Sequence, residues 1–231
     1  MKTFLIATRN AHKVGEIRAI LGGEFQYLTL NDFPGAPVVV EDAATFAGNA
    51  AKKSVELAKW LASCPAPRAP RLCILADDSG LEVDALNGAP GVHSARFAAV
   101  DVLKDGNTPD ADNNAKLLRL LRDVPAEKRT ARFRCVIALT PVEPEPLTGS
   151  SPVCAAVYEP GTVLFDGACE GRIDFGPRGQ GGFGYDPLFI PNGFEQSFAE
   201  LGETMKNQLS HRAQALGKLQ AWLRKQTELN P

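Results

Sequence analysis

The sequence predicts an α/β protein with a mixed sheet, and three observations carry that expectation. A strand, a polar loop and an amphipathic helix open the chain, an apolar strand follows the second helix, and several short extended segments precede the final helix. Strands that alternate with helices pair in parallel, whereas strands joined by turns pair antiparallel. A length of 231 residues suits one α/β domain of two lobes, spanning residues 1–231 without a linker. At 44% hydrophobic and 23% charged residues, the composition is that of an ordinary globular protein.

The elements follow in order. Phe4 to Ala7 reads as a buried strand, and the polar turn Arg9-Asn10 leads into a helix with Val14, Ile17 and Leu21 at helical spacing. A second helix begins after Thr45, with Phe46, Ala50, Leu57 and Leu61 on one face and Lys53 projecting from its second turn. Cys64 to Pro70 carries three prolines and reads as an exposed loop. Leu72 to Ala76 is an apolar strand that delivers Asp77-Asp78-Ser79-Gly80 at its carboxyl end, after which Leu81 and Val83 resume an extended pattern. Asp112 to Leu121 fits a helix that buries Leu117, Leu118 and Leu121, and Ala131 to Leu139 fits a strand alternating Arg132/Arg134 against Phe133/Cys135. A Pro-rich turn over 141–152 precedes extended segments at Val153–Tyr158, Val163–Phe165 and Arg172–Phe175, the pattern of an antiparallel meander. Ser197-Phe198-Ala199-Glu200 has the spacing of a capping box. A final helix then carries Leu209, Ala213, Leu216, Leu219 and Leu223 on one stripe, with His211 and Arg212 in its first turn.

Several function classes are disfavoured. Lys+Arg total 25 against 27 Asp+Glu, a formal charge of −2, which argues against a dedicated nucleic-acid binder. The apolar run at Phe4 to Ala7 is too short for a signal-peptide core, and no stretch reaches the ~18 apolar residues of a membrane span, so a cytoplasmic protein without a membrane partner is expected. Cys64, Cys73, Cys135, Cys154 and Cys169 form no Cys-x-x-Cys pair, and His12, His93 and His211 form no His-x-x-x-His pair. A metal, if used, falls to carboxylate oxygens.

Four constellations could carry chemistry. Thr8-Arg9-Asn10-Ala11-His12-Lys13 lies between a strand end and a helix N-terminus, where amide, hydroxyl and ammonium donors could surround phosphate oxygens; a capped helix start is the plainer reading. Glu41-Asp42 and Asp77-Asp78 offer the hard oxygen ligands that Mg²⁺ takes alongside substrate phosphates, and a carboxylate there could activate water; a polar turn is the alternative for Asp77 to Gly80. Gly179 to Pro187 combines glycines, which admit close backbone approach, with Phe183 and Tyr185, which could stack on a base or pack in a core. Lys206 with Ser210-His211-Arg212 supplies donors matched to a purine keto oxygen, although a lone His211 also reads as a packing residue.

Taken in order, these segments resemble the inosine triphosphate pyrophosphatase family, hydrolases of non-standard purine nucleoside triphosphates. The resemblance runs nearly end to end. It is carried by Ile6-Ala7-Thr8-Arg9-Asn10 through Lys13 and Glu16, Thr45-Phe46 with Asn49-Ala50 and Lys53, Ala76 to Leu81 with Gly88-Ala89-Pro90-Gly91 and Ser94-Ala95-Arg96, Gly181 to Pro187, and Ser210-His211-Arg212. Arg9 and His12 stand where the family often has small residues, and Gly48 where it often has an acid.

The resemblance implies a two-lobed fold with a long mixed central sheet flanked by helices, a nucleotide cleft between the lobes, Mg²⁺ dependence and a homodimer. Carried over by position, Thr8, Arg9, Asn10, Ala11, His12, Lys13 and Lys53 hold the triphosphate, and Glu41 and Asp78 lie at the metal. Asp78 is the catalytic base, assisted by Lys13 and Lys53, and Ser79 touches substrate. Phe183, Gly184, Tyr185 and Asp186 shape the base pocket, with Lys206, His211 and Arg212 at the base and its keto edge. The implied reaction converts dITP, ITP or XTP to the monophosphate and pyrophosphate. Two rivals stay open: a Maf-like pyrophosphatase acting on modified pyrimidine or methylated nucleotides, and a nucleotide-binding protein without turnover.

Overall fold

A computed structural model of the chain describes residues 2–64, 71–102, 106–142 and 161–229. The first strand, β1 (Thr3–Ile6), feeds helix α1 (Ala11–Leu21), and β2 (Gln26–Thr29) follows. Helix α2 (Phe46–Ser63) precedes β3 (Leu72–Val83), and α3 (Asp110–Leu120) precedes the long strands β4 (Thr130–Pro141) and β5 (Val163–Ile173). The short β6 (Phe189–Pro191) leads into α4 (Phe198–Leu209) and α5 (His211–Leu229). Six strands form one sheet in the order β2-β1-β3-β4-β5-β6. β1 runs parallel to both β2 and β3, with Phe4 opposite Tyr27 and Cys73, while β6 pairs antiparallel with β5. The sheet is therefore mixed, as the sequence predicts.

The chain divides into two units, one drawn from residues 1–78, 135–167 and 212–231, the other from 79–134 and 168–211. Each has its own apolar core. In the first, Phe4, Ile6 and Leu75 pack with Ile17, Ile137, Phe165, Leu216 and Leu219, so that the buried stripes of α1 and α5 meet strand residues. In the second, Leu81, Val83, Phe133, Ile173 and Phe189 pack with Leu117, Leu121 and Phe198. Burial at this scale supplies the driving force for both units.

Local chemistry starts the helices where the sequence placed them. Thr45 caps α2 by accepting from the Gly48 amide at 3.0 Å, and Ser197 and Glu200 form a full capping box on α4. Three sequence expectations are corrected. Asp77 and Asp78 are not at a strand end or in a turn, because β3 continues through them to Val83. The two extended segments at Val163–Phe165 and Arg172–Phe175 belong to one strand, β5, which ends at Ile173. Leu209 belongs to α4 rather than to the final helix: Ser210 is extended (φ −66°, ψ 159°) and restarts the chain at His211. Strands β2 and β6 were not anticipated, the first being polar and partly exposed and the second three residues long. Beyond Cys64 the expected loop at Cys64–Pro70, beyond Val142 the expected turn over 141–152, and the whole of the expected strand at Val153–Tyr158 lie outside the described residues. Among the described residues, no helix is long and apolar enough to cross a membrane.

Candidate functional site

Two groups of side chains emerge, one in each unit. In the first, β3 carries Asp77 and Asp78 side by side. Successive strand residues point to opposite faces, so adjacent carboxylates meet different surroundings. The Asp77 side chain is fully buried and ion-paired to Lys13 Nζ at 2.5 Å and to Arg212 Nε at 2.8 Å. Arg212 Nη2 adds a bond to the other oxygen at 3.3 Å, and the buried Cys135 thiol donates at 3.2 Å. Burial alone would raise the Asp77 pKa, but Arg212 and Lys13 overcome it and hold this carboxyl well below the usual range. Arg212 Nη1 bonds in turn to the buried Glu16, one helical turn beyond Lys13 on α1.

Asp78 has the opposite environment. Its carboxyl is pushed up to about 6, chiefly by burial; Lys13 and Lys53 pull it down, nearby Glu41 pushes it further up, and Asn49 pulls it down. Lys53, on α2, pairs with Glu41 at 2.6 Å and donates to the Asp77 carbonyl at 3.1 Å. Asn49, 1% exposed, accepts from the Ala43 amide at 2.9 Å, tying the segment that bears Glu41 to α2. One carboxylate locked as an anion beside another poised near neutrality is the arrangement that separates an anchor from an acid–base group.

Thr8 to Asn10 form the loop entering α1, whose first residues are Ala11 and His12, and Arg9 to His12 are exposed. Asn10 caps the helix, its Oδ1 accepting from the amides of His12 at 2.9 Å and Lys13 at 3.2 Å, while Thr8 Oγ1 accepts from the Asn10 amide at 3.1 Å. The capped-start reading therefore describes the loop as it stands, and Lys13 is the member of this motif that joins the carboxylates.

Glu41 and Asp78 are the carboxylates that could hold a metal. Among the described residues no cluster of three or more His, Cys, Asp or Glu side chains forms a closed cage. Mg²⁺ commonly binds through one or two carboxylates and completes its shell with water and substrate phosphates, so this pair fits that mode. Burial, the largest cause of the raised Asp78 pKa, and the smaller repulsion from Glu41 both disfavour the anion, and a bound cation would offset them.

In the second unit, Lys206 and Asp186 form a buried ion pair at 2.5 Å, 2% and 1% exposed. The same Asp186 oxygen accepts from the Phe183 amide at 2.8 Å, and the Lys206 ammonium lies 4.2 Å from the Phe183 ring centre. Gly182 (φ +73°) is glycine for two reasons: the backbone is left-handed, and a Cβ there would strike the Asp186 carboxylate. The Tyr185 hydroxyl donates to the Ser94 carbonyl at 2.9 Å. Ser79, half-buried, follows Asp78 in β3 and belongs to this unit.

The Ser210-His211-Arg212 motif is split. The His211 ring stacks on Phe133 with centres 4.8 Å apart and planes at 13°, so the imidazole has the packing role that the sequence also allowed. The guanidinium of Arg212, expected at the keto edge of a base, is 1% exposed and bonded to Asp77 and Glu16 in the first unit. Sequence reasoning missed the counter-ion role of Asp77, the grip of Glu16 on Arg212 and the tie at Asn49. The available signals were the three-residue spacing of Lys13 and Glu16 and the position of Asn49 one turn before Lys53.

Comparison with known proteins places the chain. The model of the Ham1 family matches residues 4–222. The dITP/XTP pyrophosphatase of Exiguobacterium sibiricum is 44% identical over 95% of this chain and 96% of its own length, and that of Geobacter sulfurreducens is 45% identical over 95% of each. Among solved structures, a HAM1 protein from Coxiella burnetii superposes with a TM-score of 0.74 at 34% identity, covering 97% of this chain and all of its own. A nucleoside-triphosphatase/dITP/XTP pyrophosphatase from Mycobacterium abscessus gives 0.67 at 37% identity over 94% of this chain and 98% of its own. With the family model spanning most of the sequence and relatives above 40% identity matching end to end, the chain belongs to the Ham1 family.

Proposed function

We propose that the protein hydrolyses ITP, dITP and XTP to the nucleoside monophosphate and pyrophosphate, with Mg²⁺; the name dITP/XTP pyrophosphatase carried by its relatives supports the dITP and XTP part of that reading. The observation that carries the reading is the pair Asp77/Asp78: Asp77 is spent as a buried counter-ion, which leaves Asp78, near-neutral and flanked by Lys13 and Lys53, as the base. Asp78 accepts a proton from water as the water oxygen attacks the α-phosphorus, and the bond from that phosphorus to the bridging oxygen breaks to release pyrophosphate. Lys13 and Lys53 hold positive charge at the phosphates, where preorganised cations lower the barrier most. Glu41 and Asp78 are the proposed Mg²⁺ ligands, and the bound ion supplies further charge neutralisation.

Base recognition belongs to the second unit: Phe183 offers a ring, Lys206 donates to a 6-keto oxygen, and Tyr185, Asp186 and His211 support them. A donor built for a keto oxygen is left unmet by the 6-amino group of adenine, a mismatch that can cost up to about 10⁴-fold in rate. Homodimeric assembly and a cytoplasmic location belong to the same proposal. The cysteines among the described residues are thiols, which suits a reducing compartment. The comparisons lend no support to the Maf-like alternative.

The test is pyrophosphate release from dITP, XTP, ITP, dGTP, ATP and dTTP, with Mg²⁺ and with chelator. Fast, chelator-sensitive release confined to the first three is expected. Release mainly from dTTP, or tight binding with no release from any of them, overturns the proposal.

A further inference from the structure

We propose that Asp110 and Asn114 are positioning residues for base recognition, which set the Phe183–Tyr185 loop by gripping Gly184 on both sides of its Cα. The Gly184 amide donates to Asp110 Oδ2 at 2.6 Å, and Asn114 Nδ2 donates to the Gly184 carbonyl at 3.0 Å. The two side chains stand four residues apart on α3, the spacing that places them on one helical face. One helix thus fixes the peptide plane before Gly184 and the plane after it, and with them the φ and ψ of the residue that joins the two aromatic side chains.

The loop needs such a restraint. Gly184 has φ +62°, and no Cβ contact limits it. Glycine in a left-handed conformation has wide freedom in either direction, so the half-buried Phe183 could otherwise swing about this hinge relative to Tyr185, which is buried in the core. Their other anchors are separate: the Phe183 amide is held by Asp186, and the Tyr185 hydroxyl by the Ser94 carbonyl. Those bonds fix the ends, and the grip from α3 fixes the middle. The Asp110 bond is charge-assisted and stronger than a neutral one. Asp110 is the first residue of α3, and the preceding Pro109 provides no side-chain cap, so this carboxylate is directed at the loop and not spent on the cap position. The next residue but two, Asn113, is used differently: it is buried and accepts from the Ala98 amide at 2.8 Å and the Thr108 hydroxyl at 2.7 Å, fastening the start of α3 to the segment that carries Ser94. α3 is thereby a fixed platform from which Asp110 and Asn114 can act.

The inference rests on the reading of Phe183 to Asp186 as the base-recognition loop, and the experiment separates the two. Asp110→Ala, Asp110→Asn, Asn114→Ala, the double alanine variant and Phe183→Ala are compared in the Mg²⁺-loaded full-length enzyme. KM and kcat are measured for ITP, together with the inhibition constant of tripolyphosphate, which has no base. Loss of a charge-assisted bond predicts a rise of about tenfold or more in KM for Asp110→Ala, and loss of a neutral one about threefold to tenfold for Asn114→Ala. Asp110→Asn keeps an acceptor and stays within about threefold of the parent. The double variant does little more than Asp110→Ala, because both bonds hold one residue. Inhibition by tripolyphosphate is unchanged throughout. If Phe183→Ala raises KM but the α3 variants do not, the positioning role is overturned and the loop reading stands. If Phe183→Ala also leaves KM unchanged, the loop reading itself falls, and the inference with it. A parallel loss of tripolyphosphate inhibition and melting temperature in the α3 variants would show general disruption and also overturn the role.

Discussion

Replacing Asp78 by asparagine should sharply reduce turnover and make the metal-free protein more stable. The folded protein raises this carboxyl from 3.8 to about 6, so at neutral pH it holds a charge that the fold disfavours. A rise of about two units at 1.36 kcal/mol each gives a penalty of about 3 kcal/mol at pH 7, already net of the attraction to Lys13 and Lys53. The sign follows from proton binding. Between the unfolded and folded pKa values the native state binds more protons, so stability from this group is full below 3.8 and is lost as pH rises through about 6. An uncharged amide escapes that loss, and Asp78→Asn should gain about 3 kcal/mol at pH 7 but only about 1 kcal/mol at pH 4.5. At roughly 2–4 °C per kcal/mol for a chain of this size, the gain at neutral pH corresponds to roughly 6–12 °C in melting temperature. Urea unfolding of parent and variant with chelator, at the two pH values, is the assay. A variant no more stable than the parent at pH 7, or a gain that does not shrink in acid, refutes the account of Asp78 as a strained, poised base. Turnover should fall by about 10²-fold or more, the usual contribution of a general base.

Two further perturbations discriminate between side chains that sequence spacing cannot separate. Arg212→Ala removes the partner of two buried carboxylates, Asp77 and Glu16, and should destabilise the protein by about 3–5 kcal/mol while leaving the ITP-to-ATP preference of the surviving enzyme intact. Lys206→Met should instead lower that preference; kinetics on both substrates, with urea unfolding alongside, would reveal the reverse pattern if Arg212 were the base reader. Gly182→Ala forces a left-handed backbone onto a residue with a Cβ and drives that Cβ into the Asp186 carboxylate, so it should cost about 1–3 kcal/mol and raise KM for ITP. An unchanged KM would dissociate the Asp186–Lys206 pair from substrate binding.

Much of this architecture is legible in the sequence because local rules and tertiary structure agree there. The stripes of α1 and α2, the Thr45 cap and the Ser197–Glu200 capping box all follow from side-chain spacing and from donors that need partners. Where the reading failed, tertiary context overrode local preference. Asp-Asp-Ser-Gly has turn chemistry, yet β3 passes straight through it, since Arg212, Lys13 and Cys135 compensate a carboxylate that no isolated strand could bury. Arg212 comes from the far end of the chain, 135 residues from Asp77, and no periodicity announces that pairing. The grip of α3 on Gly184 spans 70 residues and is equally silent, although Asp110 and Asn114 share a visible helical face.

The two adjacent pairs, Asp77-Asp78 and His211-Arg212, follow one physical rule that bears on catalysis. Secondary structure separates neighbours in sequence: a strand turns consecutive side chains to opposite faces, and a helix turns them about 100° apart. In β3 this divides a carboxylate whose pKa is held low from one whose pKa is raised, without any spacing between them. At the start of α5 it sends one ring onto Phe133 and one guanidinium onto Asp77. A motif of contiguous polar residues therefore need not be a single contact surface. Here Asp77, Arg212 and Glu16 form a buried frame, and Lys13, held by that frame, also acts electrostatically on Asp78, the proposed base. The frame should matter more to stability than to substrate choice, and the Lys206 side of the protein more to substrate choice than to stability, which is the division that the Arg212 and Lys206 variants test.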